Sequence, residues 1–202
     1  CYPGASSLAT VIKKLRNEPY LLLDTGDYLF GSNNENVSFT ANVMNQLGYH
    51  ATGFGNHDWD VGTKELNTFF KQAKFPILAA NIIDDSLKKH DDFFNFHKYL
   101  RVELNNGIYV CVVGVTTSEF NPLTLRKIQK EESVLEYIKT LKKSCHHTIL
   151  LSHSGMDVDQ RLAAAEVTSN NNTIIALILG GHSHFITGSD NNKKNIESIE
   201  FG

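Results

Sequence analysis

Four short apolar runs, each ending beside a glycine and a side chain able to bind a metal, constrain this chain most. Tyr20-Leu21-Leu22-Leu23 runs into Asp24-Thr25-Gly26-Asp27, and residues 51–54 run into Gly55-Asn56-His57-Asp58. Residues 148–151 lead to Ser152-His153-Ser154-Gly155, and residues 174–179 lead to Gly180-Gly181-His182. Each run is too short for a helix and has no polar face, so each reads as a strand buried on both sides. Between them lie stretches of helical spacing. Leu8, Val11, Ile12 and Leu15 recur at i, i+3, i+4 and i+7 within residues 7–16, and further helices are predicted over 37–47, 63–73, 131–143 and 158–167. A strand over 76–81 and a hairpin of 99–104 with 108–115, turned at Asn105-Asn106-Gly107, complete the pattern. Strands alternating with helices predict an α/β layered fold with helices on both sides. The 202 residues suit one domain, without repeat or linker, and polar stretches 169–172 and 189–195 read as surface loops.

Charge narrows the function. Nineteen Lys and Arg oppose 22 Asp and Glu for a net charge of −3, and no basic cluster exceeds a lysine pair, so nucleic-acid binding has no support. No apolar run approaches the roughly 18 residues of a membrane span, so no transmembrane segment is expected. An anionic substrate must be held by something local, such as a metal. Cys111, inside Tyr109-Val110-Cys111-Val112-Val113, reads as a buried free thiol, and Cys1 as having its partner outside this sequence. The chain opens on Cys1 without a signal-peptide pattern and reads as processed or as a fragment. Asn36-Val37-Ser38 and Asn171-Asn172-Thr173 would permit glycosylation in a secretory protein.

Asp27, Asn56 with His57, His153, and His182 with His184 each follow the C-terminal end of a predicted strand, where open α/β sheets form their ligand crevice. Singly, each would be an ordinary turn residue. Together they bring oxygen and nitrogen donors to one rim, and Gly26, Gly55, Gly155, Gly180 and Gly181 allow close backbone approach.

These strings resemble the ordered motifs of calcineurin-like metallophosphoesterases: Gly26-Asp27-Tyr28-Leu29-Phe30-Gly31-Ser32, Gly55-Asn56-His57-Asp58-Trp59-Asp60-Val61-Gly62, Leu151-Ser152-His153-Ser154-Gly155 and Gly180-Gly181-His182-Ser183-His184. The Asn-His-acidic-aromatic-Asp pattern, Phe75-Pro76-Ile77-Leu78-Ala79-Ala80-Asn81 and the helix entry from Gly155 to Asp159 resemble the 5'-nucleotidase branch, the ecto-5'-nucleotidases in particular. The resemblance implies a two-layer β core flanked by helices and two divalent ions, Zn²⁺ with Mn²⁺ as the alternative. Asp27 would bridge the ions, Asn56, His153 and His182 would complete one of them, and His184 would face the other. His57, beside the ligand Asn56, would contact the substrate with it and stabilise the phosphoryl transition state or assist the leaving alkoxide. Asp60 would fix the His57 tautomer. In the competing reading, His57 caps a turn and Asp60 caps the helix near Thr63. Asp58 and Trp59 read as structural, and His50, His90, His97, His146 and His147 as surface or fold histidines.

The same resemblance implies that residues 1–188 form a metallophosphoesterase domain lacking its first strand, which in the family carries an Asp-x-His motif. Residues 189–202 would be a surface loop and the start of a segment leading to a C-terminal nucleotide-binding domain, so the domain is expected to be truncated at both ends. The implied activity is hydrolysis of nucleoside 5'-phosphates to nucleoside and phosphate. The alternatives are an apyrase, a nucleotide-sugar hydrolase or a cyclic phosphodiesterase of the same family, or a non-catalytic secreted nucleotide binder. The expected location is extracellular, secreted or anchored at the cell surface, with a dimer possible through the C-terminal domain.

Overall fold

The computed structural model describes residues 5–16, 19–29, 34–83, 94–104, 107–119, 127–169, 175–188 and 197–200. In chain order the elements are α1 (Ala5–Leu15), β1 (Leu23–Asp24), α2 (Asn34–Leu47), β2 (Ala51–Thr52), a 3₁₀ turn (His57–Trp59), α3 (Thr63–Gln72), β3 (Ile77–Leu78), β4 (Ile82–Ile83), β5 (Phe96–His97), β6 (Tyr99–Glu103), β7 (Tyr109–Thr116), β8 (Lys127–Ile128), α4 (Ser133–Leu141), β9 (His147–His153), α5 (Met156–Ser169), β10 (Ile175–Gly180), β11 (Phe185–Gly188) and β12 (Glu197–Glu200). One sheet has the order β1-β2-β3-β5, all parallel. The second has the order β10-β9-β7-β6, parallel except for β6, which is antiparallel to β7.

Side-chain alternation along buried strands assigns each residue to a layer. On β7, Cys111, Val113 and Val115 pack with Val134, Ile138 and Leu141 of α4 and its end and with Leu162 of α5. Val112 points the other way and joins Leu151, Leu78 and Ala51 between the two sheets. The outer face of the first sheet is covered by Val37, Ala41 and Met44 of α2 and Leu66 and Phe69 of α3. The expected two-layer β core flanked by helices is therefore what forms. The sheets approach so closely at Gly114 that a Cβ there would meet the backbone and side chain of Leu78. Buried Asn81 joins the layers: its amide donates to the carbonyls of Thr116 (2.7 Å) and Gln129 (3.0 Å), and its oxygen accepts from the Thr116 N–H (3.0 Å).

Several elements differ from expectation. Of the first apolar run only Leu23–Asp24 pairs as strand. At Leu22 the neighbouring acceptor is not a carbonyl but His50 Nδ1, 3.0 Å from the Leu22 N–H, so the ladder stops. The run over 76–81 contributes only Ile77–Leu78 to the first sheet, and the following Ile82–Ile83 pairs instead with Lys127–Ile128. The hairpin has the expected strands, in register from Tyr99↔Val113 to Glu103↔Tyr109, and Gly107 takes φ +75°. The remaining turn residues, Asn105 and Asn106, lie outside the described residues.

The free-thiol reading of Cys111 is corrected: it is disulfide-bonded to Cys145, with Cα atoms 5.8 Å apart. The turn after α4, closed by the Cys145 N–H on the Leu141 carbonyl at 2.9 Å, returns the second cysteine to the helix side of β7. Their separation of 34 residues hid this proximity. Among the described residues of α1 only Ile12 is buried, while Leu8, Val11 and Leu15 are 39%, 52% and 67% exposed. Among the described residues no helix is long and apolar enough to cross a membrane. Cys1, His90, the second sequon, and the loop readings over 170–172 and 189–195 fall outside the described residues.

Candidate active site

Asp27, Asn56 and His182 follow β1, β2 and β10, and His153 ends β9, so two sheets deliver them to one rim. Among the described residues, Asp27 (φ +65°), His182 (φ +77°) and His184 (φ +57°) are the non-glycine residues in the left-handed region. Asp and His are among the side chains that tolerate it, at about 1–3 kcal/mol each when the surroundings hold them there. Asp58 supplies that hold at Asp27. Its fully buried carboxylate accepts from the N–H groups of Asp27, Leu29 and Gly55, each at 2.9 Å, stitching the loop after β1 to the loop after β2. Burial nevertheless pushes its pKa up to about 7. Asp24, whose Oδ1 accepts from the Gly26 N–H at 2.9 Å, is likewise pushed by burial to about 6.

The donors meet as two pairs. Asp27 Oδ2 lies 3.0 Å from His153 Nε2, and Asn56 Oδ1 lies 2.9 Å from His182 Nδ1. The pairs adjoin through the two imidazoles, whose centroids are 5.2 Å apart. His153 Nδ1 stands 3.0 Å from the Thr25 carbonyl, which can only accept, so Nδ1 carries a proton and the buried Nε2 is the ring atom turned to Asp27 Oδ2. The Asp27 Oδ1 atom accepts from the His57 N–H at 2.9 Å. Glycine is required around this centre: a Cβ on Gly26 would meet His153 Nδ1 at 2.9 Å, one on Gly181 would meet Thr25 Oγ1 at 2.6 Å, and one on Gly55 would collide with the Asp27 carboxylate.

Electrostatics follow from the pairing. Burial alone would raise the Asp27 carboxyl, but the His153 imidazole outweighs it and holds Asp27 below its usual value. Burial would lower His153, yet the same carboxylate raises it. His182 is lowered, first by burial and then by the charge of His153.

His57 Nδ1 lies 2.6 Å from Asp60 Oδ2, both side chains roughly half exposed at the rim. The alternative role for Asp60 fails, because the N-cap of α3 is Gly62 without a side-chain capping bond. His184 is exposed and close enough to influence His182, but among the described residues it joins neither donor pair. The histidines read as structural include His50 and His146, whose Nδ1 atoms accept from the N–H groups of Leu22 and Tyr109, each at 3.0 Å. Sequence reasoning missed the supports: Thr25, whose carbonyl sets the His153 tautomer, and Ser152 with Asp159, hydrogen-bonded at 2.5 Å. Ser152 and Asp159 lie inside the motif strings and Thr25 beside one, where residue type alone did not mark them as supports.

The sequence pattern of the calcineurin-like phosphoesterases matches residues 1–185. This chain belongs to that family. The phosphoesterase chain is 34% identical to 5'-nucleotidase of Bos taurus over 91% of its own length and 33% of that protein. It is 32% identical to an apyrase of Tabanus yao, over 95% of its length and 35% of that protein. In three dimensions it is similar to the NAD nucleotidase of Haemophilus influenzae, with a TM-score of 0.75 and 26% identity over 93% of this chain and 34% of that one. It thus spans about a third of the length of these relatives.

Calcineurin-like phosphoesterases use divalent metals, and the donor chemistry of this rim suits one. Buried His153 Nε2 faces a carboxylate oxygen 3.0 Å away, an imidazole and a carboxylate paired as a divalent ion takes them for ligands. Thr25 orients the ring as outer partners orient metal-binding histidines. Among the described residues, however, no three His, Cys, Asp or Glu side chains close into a formed cluster, and the amide of Asn56 supplies the fourth donor.

Proposed function

We propose that this phosphoesterase chain carries the metal-binding half of a nucleoside 5'-phosphate hydrolase. Asp27, Asn56, His153 and His182 would hold one divalent ion, and Asp27 with His184 would contribute to a second. Zn²⁺ suits this mixed nitrogen and oxygen set, and Mn²⁺ is the alternative. A bound ion pair supplies phosphoryl polarisation and an activated water. His57, with Nδ1 on Asp60, turns its other ring nitrogen to the substrate phosphoryl group, where a ring N–H stabilises developing charge or gives its proton to the leaving ribose oxygen. Asp60, 2.6 Å from Nδ1, fixes the tautomer and orientation of the ring. Asn56 lies beside His57 to orient the ester.

The observation that carries the proposal is the 3.0 Å approach of buried His153 Nε2 to Asp27 Oδ2 beside the Asn56–His182 pair. An extracellular location is supported by the buried Cys111–Cys145 disulfide, which suits an oxidising compartment, and by relatives that include a venom 5'-nucleotidase of Gloydius brevicauda. Asn36 of the first sequon is exposed on α2 and accessible to glycosylation. Calorimetric titration with Zn²⁺ and Mn²⁺, with phosphate release from AMP and ADP measured on the full-length protein, tests the proposal. Stoichiometric metal and turnover of AMP are expected; absence of metal binding by the Asp27–His153 centre overturns it.

A further inference from the structure

We propose that Asp159 is a positioning residue for the His153–His182 centre, holding the last rung of β9 and β10 from the helix side. The inference rests on the reading that this centre binds a divalent ion. Ser152 and Gly180 are register partners at the ends of two parallel strands. Strand alternation turns both toward α5, while the next residues, His153 and Gly181, turn toward the first sheet. Asp159 stands in the first turn of α5 and reaches both members of the rung. Its Oδ1 accepts from Ser152 Oγ at 2.5 Å. Its Oδ2 fills the space where a side chain at Gly180 would begin, so glycine there is the counterpart of the carboxylate.

Directly across the strands, Gly181 packs on Thr25 and against His153 Nδ1, and the Gly181 N–H donates to the Ser152 carbonyl at 2.9 Å. Asp159 therefore braces the backbone from one face at the point where His153 is oriented from the other. The Ser152–Gly180 rung sits one residue before His153 and two before His182, whose rings are 5.2 Å apart. A shift of this rung changes how the two imidazoles face a common ion. Asp159 holds Ser152 and Gly180 directly, and its effect on the ring geometry is exerted through that rung.

The test uses the 202-residue chain and Zn²⁺ as the probe. Asp159→Ala is expected to weaken Zn²⁺ binding about 10- to 100-fold, the usual cost of losing a support behind a metal ligand. Ser152→Ala should produce a comparable loss, and the double variant should add little, because both remove one interaction. Asp159→Asn keeps an acceptor for Ser152 and should recover most of the affinity. Gly180→Ala introduces no polar change yet should weaken binding by displacing the carboxylate. Thermal unfolding of the metal-free proteins separates these effects from simple loss of fold. Affinity within twofold of the parent in Asp159→Ala, or additive losses in the double variant, overturns the proposal. Nitrogen-15 NMR of the metal-free chain supplies an independent arm. The His153 ring should show a protonated Nδ1 in the parent and a mixed tautomer in Asp159→Ala, and an unchanged signal overturns the proposal. If the parent binds no Zn²⁺, the functional reading fails while this arm still decides the role of Asp159.

Discussion

Asp58 has no exposed surface and receives three backbone N–H groups from two loops on its two oxygens. An amide in its place offers one acceptor and turns an NH₂ toward at least one of those donors. Asp58→Asn is therefore expected to destabilise the metal-free chain by about 3 kcal/mol, measured by urea unfolding, since donors left unsatisfied by loss of a charged partner cost that much. A change under 1 kcal/mol would mean that the loops hold Asp27 without it. His57 makes a different demand. Its side chain is rim-exposed and paired with Asp60 at 2.6 Å, and it lies in neither donor pair. On the proposed function, His57→Ala should keep its metal content and lose about 10²-fold or more in turnover of AMP, with Asp60→Asn acting in the same direction but less. Metal loss in the His57 variant, read by elemental analysis, would make His57 a ligand.

At the scale of elements, the sheets are brought together by what β7 lacks as much as by what it carries. Gly114 faces the Leu78 backbone, and a methyl group there has no space. Gly114→Ala should destabilise the chain by about 2–3 kcal/mol through overpacking, whereas Gly107→Ala, in open space at φ +75°, should lose about 1 kcal/mol through backbone strain. Equal effects in denaturation would contradict close sheet contact at Gly114. Removing the Cys111–Cys145 bridge, which closes a separation of 34 residues, should cost about 3–4 kcal/mol. Helices with four or more periodic apolar residues and strands of continuous β-branched residues were legible in the sequence, because their periodicity is local. The disulfide, the halt of β1 at His50 and the diversion of Ile82–Ile83 to β8 were not, since each depends on a partner far along the chain. The α1 stripe shows the same boundary: Leu8, Val11, Ile12 and Leu15 announce a helix but not how much of its face is covered.

For the whole molecule, the legible part of the site was the convergence of Asp27, Asn56, His153 and His182, because parallel strands send all their C-terminal ends to one side. The uneven supply of donors across that rim emerged only from the geometry. Asp27 and His153 stand 3.0 Å apart, Asn56 and His182 stand 2.9 Å apart, and the two imidazoles adjoin, so the proposed ion would draw on two neighbouring pairs. A second ion would have the other oxygen of Asp27, already taken by the His57 N–H, and the exposed imidazole of His184. Two ligands, one of them shared, hold a divalent cation far less firmly than four. The 202-residue chain should therefore take up one Zn²⁺ tightly and a second at least about 100-fold more weakly, with little release of phosphate from AMP at one equivalent, because a lone ion cannot clamp both the entering and the leaving oxygen. Calorimetry run beside a phosphate assay reads both quantities. Two tight equivalents would show that residues outside these pairs complete the second position, and brisk turnover at one equivalent would show that the chemistry needs a single ion.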